Sequence, residues 1–147
     1  MTVNIAVIGS GNVGSRHVQG LVRSIAKMNV FVVDPKINNL EKTKKLILEN
    51  NLDNNKNINI SFNQTISKIN NSIDLAIIST NSDVRRQVIE KLVSLNDVKN
   101  IILEKIAFQK INDFDFIIKL LNEKKIKSFI NFPRRVFKSY HNLKKEI

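Results

Sequence analysis

Short apolar runs alternate along the chain with longer segments in which apolar residues recur every three or four positions. The short runs predict six strands, at residues 3–8, 30–33, 58–62, 73–79, 100–104 and 126–132. The longer segments predict helices, because an apolar stripe at helical spacing lets a helix pack on a sheet. Strands that alternate with helices are typical of βαβ units. The pattern therefore predicts an α/β protein with a doubly wound parallel sheet and helices on both faces.

The predicted helices follow from these stripes and from residues that can cap a helix. The first spans residues 12–27 and the second spans residues 39–49. Ser82 is predicted to cap the third, and Asn112 or Asp113 the fourth, because their side-chain oxygens can accept from N–H groups in a first helical turn. The sheet-facing residues predicted for the first, third and fourth helices are Val13, Val18, Leu21, Val22 and Ile25; Val84, Val88, Leu92 and Leu95; and Phe114, Ile117, Ile118 and Leu121.

The first predicted strand runs directly into a glycine-rich turn. Three of the four glycines in the chain, Gly9, Gly11 and Gly14, have G-x-G-x-x-G spacing there. The first glycine permits a sharp turn, the second a close approach of backbone to a pyrophosphate, and the third close helix packing. The helix that follows presents free N–H groups and its positive dipole end to an anion. The turn predicts a dinucleotide phosphate site, with a purely structural turn as the alternative; its residues are Gly9, Ser10, Gly11, Asn12, Val13 and Gly14.

The second predicted strand ends in Asp34, twenty positions after Gly14, which is the spacing of a ribose-binding acid in dinucleotide domains. A carboxylate there accepts hydrogen bonds from the adenosine ribose hydroxyls and repels a 2′-phosphate. The cofactor is therefore predicted to be NAD, in preference to NADP. Lys36 lies close enough in sequence to weaken that preference, and a solvated Asp34 without a ligand is the alternative.

Polar residues also follow the fourth and fifth predicted strands, and ligands of such sheets bind at the carboxyl ends of the strands. Thr80 and Asn81 could hydrogen-bond a ribose or a nicotinamide amide, or they could cap a helix. Glu104 ends the fifth predicted strand and is predicted to contact the cofactor, and Lys105 follows it. Lys105 could bind a substrate hydroxyl and help to move its proton as hydride leaves the same carbon, although Glu-Lys is also a common exposed pair.

The order of five segments, VIGSGNVGSRH, VVDP, IIST, IILEK and FINFPRR, resembles the cofactor domain of the Gfo/Idh/MocA family, which includes glucose-fructose oxidoreductase and inositol dehydrogenase. The resemblance runs over essentially all 147 residues. It implies a Rossmann fold and hydride transfer between a nicotinamide cofactor and a hydroxyl of a sugar or sugar derivative. It also implies that Lys105 lies between cofactor and substrate. In the family, the fifth strand typically ends in Glu-Lys-Pro, and the matching residues here are Glu104, Lys105 and Ile106. Because isoleucine replaces the proline, the geometry of the turn that presents Lys105 is expected to differ.

The resemblance divides the chain into a cofactor domain, residues 1–132, and a linker helix, residues 133–147. In the family, a substrate domain follows the linker, and it is expected to be missing here. The chain alone is therefore expected to bind NAD(H) but to turn over little, and a sugar-type substrate is expected only in the intact enzyme. A non-enzymatic NAD-binding sensor or subunit module is the alternative.

Five basic residues have weaker assignments. Arg16 could contact a pyrophosphate or remain solvated, and His17 is expected to pack or to hydrogen-bond locally rather than to act in catalysis. Arg134 and Arg135 could bind an anionic substrate or solvate the linker helix. The second histidine, His141, is predicted on an exposed helix near the C-terminus.

Composition narrows the remaining classes of partner. The net charge is +11, but residues 1–80 carry 9 basic and 5 acidic side chains and residues 81–147 carry 15 and 8, so the excess is diffuse and disfavours a nucleic-acid partner. The chain has no cysteine and only two histidines, which disfavours a metal site. It shows no signal peptide and no apolar run of about 18 residues. A cytoplasmic protein without a membrane partner is predicted, and homo-oligomerisation is left open.

Overall fold

The computed structural model describes residues 1–50, 52, 55–133, 137, 138 and 142. Strands alternate with α-helices along this part of the chain, as in βαβ units, except at one connection that contains only a short 3-10 turn. In chain order the elements are β1 (Val3–Ile8), α1 (Asn12–Val22), β2 (Met28–Val33), α2 (Ile37–Glu49), β3 (Ile58–Asn63), a 3-10 turn (Ile66–Lys68), β4 (Leu75–Ile78), α3 (Arg85–Leu95), β5 (Asn100–Glu104), α4 (Ile111–Glu123) and β6 (Lys127–Asn131).

The strands form one sheet in the order β3-β2-β1-β4-β5-β6, and every neighbouring pair is parallel. The chain therefore winds outward from β1 in one direction and from β4 in the other, which confirms the doubly wound α/β fold. The strand order reverses between β1 and β4. In open α/β sheets, the crevice at the carboxyl ends beside such a reversal is where ligands bind.

Each face of the sheet has its own apolar core. The core under α1 and α2 includes Ile5, Val7, Val18, Val22, Val30, Val32, Leu40, Ile47 and Ile77. The core under α3 and α4 includes Ala6, Ile8, Ala76, Ile78, Ile89, Leu92, Ile101, Leu103, Ile117 and Leu121. Along β1 and β4 alternate residues enter opposite cores, because successive side chains of a strand point to opposite faces. Full burial of each aliphatic side chain favours the folded state by about 1.5–3 kcal/mol.

The first helix is shorter than predicted. It ends at Val22 instead of near Lys27, because Asn55, in the loop before β3, donates to the carbonyls of Val22 and Ser24 and so caps the last turn. Two residues predicted to face the sheet are exposed. Ile25 lies beyond the helix and is 93% exposed, and Val13 is 49% exposed in the first turn.

The predicted starts of α3 and α4 are also wrong. The N-cap position of α3 is Val84 and that of α4 is Lys110, and neither side chain caps the helix. The buried face of α3 is also rotated from the predicted stripe, because Arg85, and not Val84, is buried at its start. That face consists of Arg85, Ile89, Leu92 and Val93, whereas Val84, Leu95 and, on α4, Ile118 are exposed.

The strand predictions fit more closely. The predicted range 100–104 is confirmed as β5, and β4 is the shorter segment Leu75–Ile78. Most of the predicted linker helix at 133–147 lies outside the described residues, and so do Arg134, Arg135 and His141. Across the described part of the chain, no helix is long and apolar enough to cross a membrane. The same residues contain no group of three or more His, Asp or Glu side chains that could hold a metal ion.

Candidate cofactor site

Two glycines of the turn after β1 are required by the fold itself. Gly9 has φ +92°, and a Cβ there would lie 2.9 Å from the backbone nitrogen of Thr80. A Cβ on Gly14 would lie only 1.8 Å from the carbonyl oxygen of Gly9, because α1 packs directly on the turn that precedes it. The backbone N–H of Gly9 donates to the carbonyl of Val33 at 2.7 Å, which ties the turn to the end of β2.

Gly11 has neither requirement. Its φ of −65° is open to any residue, and a Cβ placed on it would have no atom within 4 Å. It lies at the N-cap of α1, whose first turn has no capping side chain and no acidic residue. Open space therefore lies beside the positive end of a helix dipole, an arrangement that suits a bound anion.

Asp34 is buried beneath this turn and is 5% exposed. Its carboxylate accepts hydrogen bonds from the backbone N–H of Ser10 at 2.8 Å, the N–H of Lys36 at 2.9 Å and Nδ2 of Asn39 at 3.0 Å. The carboxylate therefore holds the glycine turn against the start of α2. Since a carboxylate has about four acceptor positions, about one remains for a ribose hydroxyl.

Two hydroxyls near the turn have no partner among the described residues. They are the buried Oγ of Ser10 and the buried Oγ1 of Thr80, at the carboxyl ends of β1 and β4. Buried hydroxyls in folded proteins are usually hydrogen-bonded. Their position on either side of the strand reversal makes them candidates to bind a polar ligand.

Two clefts open at the carboxyl ends of the strands, and Thr80 lines both. One has a volume of about 370 Å³ and a largely apolar wall that includes Gly9, Val33, Pro35, Thr65 and Val88. The other has a volume of about 430 Å³ and a mostly polar wall that includes Val13, Asn81, Glu104, Lys105 and Ile106. The fold thus brings most of the predicted site residues to one crevice, from β2 across β1 and β4 to β5.

Glu104 lies at the inner end of the polar cleft and is buried. Its Oε1 accepts from Nε2 of His17 at 2.7 Å and from Nδ2 of Asn131 at 2.6 Å. Burial by itself would raise the pKa of Glu104, but the hydrogen bonds from Asn131 and His17 and the charge of His17 outweigh it and hold that pKa below its ordinary value. The expectation that His17 bonds locally is wrong, because its partner is 87 positions away.

Lys105 follows immediately and is exposed at the rim of the same cleft. The peptide bond between Lys105 and Ile106 is cis, and the Ile106 side chain is 73% exposed. Arg16, the other predicted cation of the site, lies exposed on α1. The polar cleft therefore has a buried anion at its base and an exposed cation at its rim.

Comparison with known proteins decides the family. A family model described as an oxidoreductase family with an NAD-binding Rossmann fold, Gfo/Idh/MocA, matches residues 3–132. The chain belongs to the Gfo/Idh/MocA family. Residues 3–132 are the NAD-binding Rossmann domain of that family, which confirms the resemblance drawn from the sequence.

Solved structures share the fold of this Gfo/Idh/MocA domain at low sequence identity. Scyllo-inositol dehydrogenase from Lactobacillus casei, with bound NAD(H) and scyllo-inositol, is 19% identical with a TM-score of 0.75 over 99% of this chain and 40% of its own. Myo-inositol 2-dehydrogenase from Lactobacillus plantarum is 22% identical with a TM-score of 0.74, over 99% and 40%. The WlbA dehydrogenase from Bordetella pertussis, in complex with NADH and UDP-GlcNAcA, is 12% identical with a TM-score of 0.78, over 99% and 41%.

The chain spans about 40% of the length of these solved structures. No curated protein matches its sequence.

Two residues of this Gfo/Idh/MocA domain that contact Glu104 were missed by the sequence prediction. Asn131 ends β6 and donates to the Glu104 carboxylate. Arg85 begins α3, is 2% exposed, and donates to the Glu104 carbonyl at 2.5 Å. Burial lowers the pKa of the Arg85 guanidinium, and the negative charge of Glu104 opposes that shift. In the sequence, Arg85 and Arg86 look like an exposed pair at the start of a helix, so no local pattern indicates that one of them is buried.

Proposed function

We propose that the chain binds NAD as the cofactor half of a dehydrogenase that oxidises a hydroxyl of a sugar, sugar derivative or polyol. Family membership supports nicotinamide chemistry. The substrate class is supported by solved structures with the same fold, whose bound molecules include scyllo-inositol and UDP-GlcNAcA. The rest of the substrate pocket would come from polypeptide outside residues 1–147.

The geometry at Gly11 is the main support for the proposed NAD binding. Gly9 and Gly14 are explained by a positive φ and by backbone packing, so they would be needed in a turn that binds nothing. Gly11 is explained by neither, and the space that it leaves open adjoins the uncapped N-terminus of α1. A pyrophosphate needs both this space and these N–H groups. Ser10 and Thr80, whose hydroxyls have no partner among the described residues, are placed to add hydrogen bonds on either side of it.

The remaining site residues take roles along the same crevice. The apolar cleft beside Pro35 would hold the adenine, with the free acceptor position of Asp34 toward the ribose, which favours NAD over NADP. The polar cleft would hold the nicotinamide beside Thr80 and Asn81. When bound, NAD supplies the hydride acceptor.

Lys105 is proposed to bind the substrate hydroxyl and to take part in moving its proton. Its exposed position at the rim of the polar cleft, one residue beyond the buried Glu104, supports this role. In a polypeptide that also contains the substrate half, Lys105→Ala should lower turnover by about 10²- to 10⁴-fold. NAD affinity should fall by less than about tenfold, because loss of one hydrogen bond costs little binding energy.

Calorimetric titration with NAD and NADP tests the binding proposal. The wild-type chain should bind NAD more tightly than NADP. Gly11→Val should weaken NAD binding by about 100-fold or more, because a side chain that displaces the pyrophosphate removes several charge-assisted hydrogen bonds. The matched control is Gly20→Val on α1, where an added Cβ also has open space, and NAD affinity should be unchanged. Equal affinity in both variants, or no binding to the wild type at millimolar NAD, would refute the proposal.

A second candidate function is a non-enzymatic module that senses the redox state of NAD or serves as a subunit beside a substrate-binding chain. The same exposure that gives Lys105 access to a substrate also fits this function, since neither Lys105 nor Ile106 is covered by any of the described residues. A sensor should bind NAD and NADH with clearly different affinities. Titration with both forms distinguishes the two functions, because the cofactor half of a dehydrogenase needs no such preference.

A further inference from the structure

Arg85 is a buried arginine whose hydrogen bonds, among the described residues, all go to backbone carbonyls. Its Nη1 donates to the carbonyl oxygens of Glu104 at 2.5 Å, Ile106 at 2.6 Å and Ala107 at 3.0 Å. Its Nη2 donates to the carbonyl of Thr80. The guanidinium therefore joins the loop after β4 to the loop after β5.

These two loops are the walls of the polar cleft. Three of the four acceptors belong to residues that flank Lys105 on both sides, so the backbone is held immediately before and after the residue proposed to contact substrate. The Glu104 side chain is held separately by His17 and Asn131. Lys105 thus projects from a segment in which each neighbour is fixed by an element elsewhere in the fold.

The bridge between the two loops requires an arginine at this position. The two carbonyl sets lie on different loops, and only a planar fork with several donors can bond both at once, whereas an ammonium group is a compact point charge. Burial of a charged guanidinium without a bonded carboxylate costs free energy of folding unless its N–H groups form hydrogen bonds. The Nε of Arg85 is buried and has no hydrogen-bond partner among the described residues. The hydrogen bonds that hold this side chain in place are therefore those of its terminal nitrogens, Nη1 and Nη2.

We propose that Arg85 is a positioning residue that couples the two walls of the polar cleft and thereby sets where Lys105 lies relative to the nicotinamide. The inference rests on the proposed NAD-binding function. It adds a specific requirement, that the nicotinamide half of the site depends on Arg85 and the ADP-ribose half does not.

Two variants and two ligands test this requirement. Arg85→Lys keeps the positive charge and removes the fork, and Arg85→Ala removes both. ADP-ribose lacks the nicotinamide, so its affinity reports the rest of the site. Arg85→Lys should raise the Kd for NAD by about tenfold, the loss expected for one good hydrogen bond in the bound state, and leave the Kd for ADP-ribose within about twofold. Millimolar guanidinium chloride should restore part of the NAD affinity of Arg85→Ala, and sodium chloride at the same concentration should not.

Hydrogen exchange gives a readout that does not depend on any cofactor. Amides of residues 104–108 should exchange about tenfold faster in Arg85→Lys than in the wild type, because local opening becomes easier when these contacts are lost. The exchange rates of the amides of β2, which lies on the other side of the strand reversal, should not change. Arg86→Lys is the matched control, because Arg86 is the next residue on α3 but bonds Glu90 and Asp113 on the helix surface instead of the cleft.

Failure of the inference is distinguishable from failure of the proposed function. If the wild type binds neither NAD nor ADP-ribose, the proposed function is wrong, and unchanged exchange at residues 104–108 would then overturn the positioning role as well. If the wild type binds both ligands, equal losses of NAD and ADP-ribose affinity in Arg85→Lys, or no loss, overturn the inference alone. If Arg85→Lys loses affinity for NAD but not for ADP-ribose, and exchange at residues 104–108 is faster, the positioning role of Arg85 is supported even if Arg85→Ala does not fold.

Discussion

The two ends of the crevice are built in different ways. The glycine turn after β1 is set by backbone constraints within six residues, since Gly9 supplies a positive φ and Gly14 admits the carbonyl of Gly9. The segment after β5 is held by side chains from three distant elements: α1, α3 and β6. A glycine turn of this kind is therefore specified locally, whereas the position of the Lys105 side chain depends on the assembled fold.

The largest expected effect comes from a substitution in the glycine turn, which is the end of the crevice that is specified locally. Gly14→Ala places a Cβ 1.8 Å from the carbonyl oxygen of Gly9, a backbone atom that cannot move aside as a flexible side chain could. The free energy of unfolding should fall by about 3 kcal/mol or more, at the upper end of overpacking effects. Chemical denaturation followed by circular dichroism measures the loss.

Gly20→Ala is the control for that change, because Gly20 lies on the same helix and its added Cβ would meet no atom within 4 Å. Alanine has the higher helix propensity, so this variant should gain up to about 1 kcal/mol. Similar stability of the two variants would mean that α1 can move away from the turn, and the local account of the glycine motif would then be wrong.

The same contrast explains how much could be predicted from the sequence. The glycine turn, the approximate positions of all six strands and the bounds of β5 were predicted because each depends on residues that are adjacent in the chain. The C-terminal end of α1 was predicted wrongly because it depends on Asn55, in a loop more than thirty positions after Val22. Arg85 was missed because only the folded chain brings the carbonyls of Thr80 and Glu104 within reach of one side chain.

A smaller effect on the free energy of unfolding is expected at Glu104, in the end of the crevice that distant side chains hold. This effect depends on pH. The folded-state pKa of Glu104 lies below the ordinary value of 4.5, so the ionised carboxylate stabilises the fold above about that pH. This stabilisation should be lost as pH falls through the folded-state pKa. Glu104→Gln should lower the free energy of unfolding at pH 7 by about 1.5–3 kcal/mol, because hydrogen bonds to a charged group are lost, and should flatten the acid limb of the stability profile.

Asp74 provides the comparison for this profile. It lies before β4, at the opposite end of the sheet, and its pKa is lowered by the backbone N–H of Asn4 and by Lys99. Asp74→Asn should remove a separate part of the same acid limb, and the two substitutions should add because the sites share no partner. An acid limb that is unchanged in Glu104→Gln would contradict the role of the buried carboxylate.

The smallest effect should come from the contact that connects the two ends. His17 lies on α1, three positions after Gly14, and its Nε2 is 2.7 Å from Oε1 of Glu104. A double-mutant cycle of His17→Ala and Glu104→Gln should give a coupling energy of about 1 kcal/mol, since the two groups are in contact and partly buried. Arg16→Ala, on the exposed side of the same helix, should show no coupling to Glu104→Gln beyond about 0.3 kcal/mol. Equal coupling for both residues would mean that the effect passes through the helix and not through the hydrogen bond. No coupling for His17 would mean that the glycine turn and the Lys105 segment are stabilised independently, although they line one crevice.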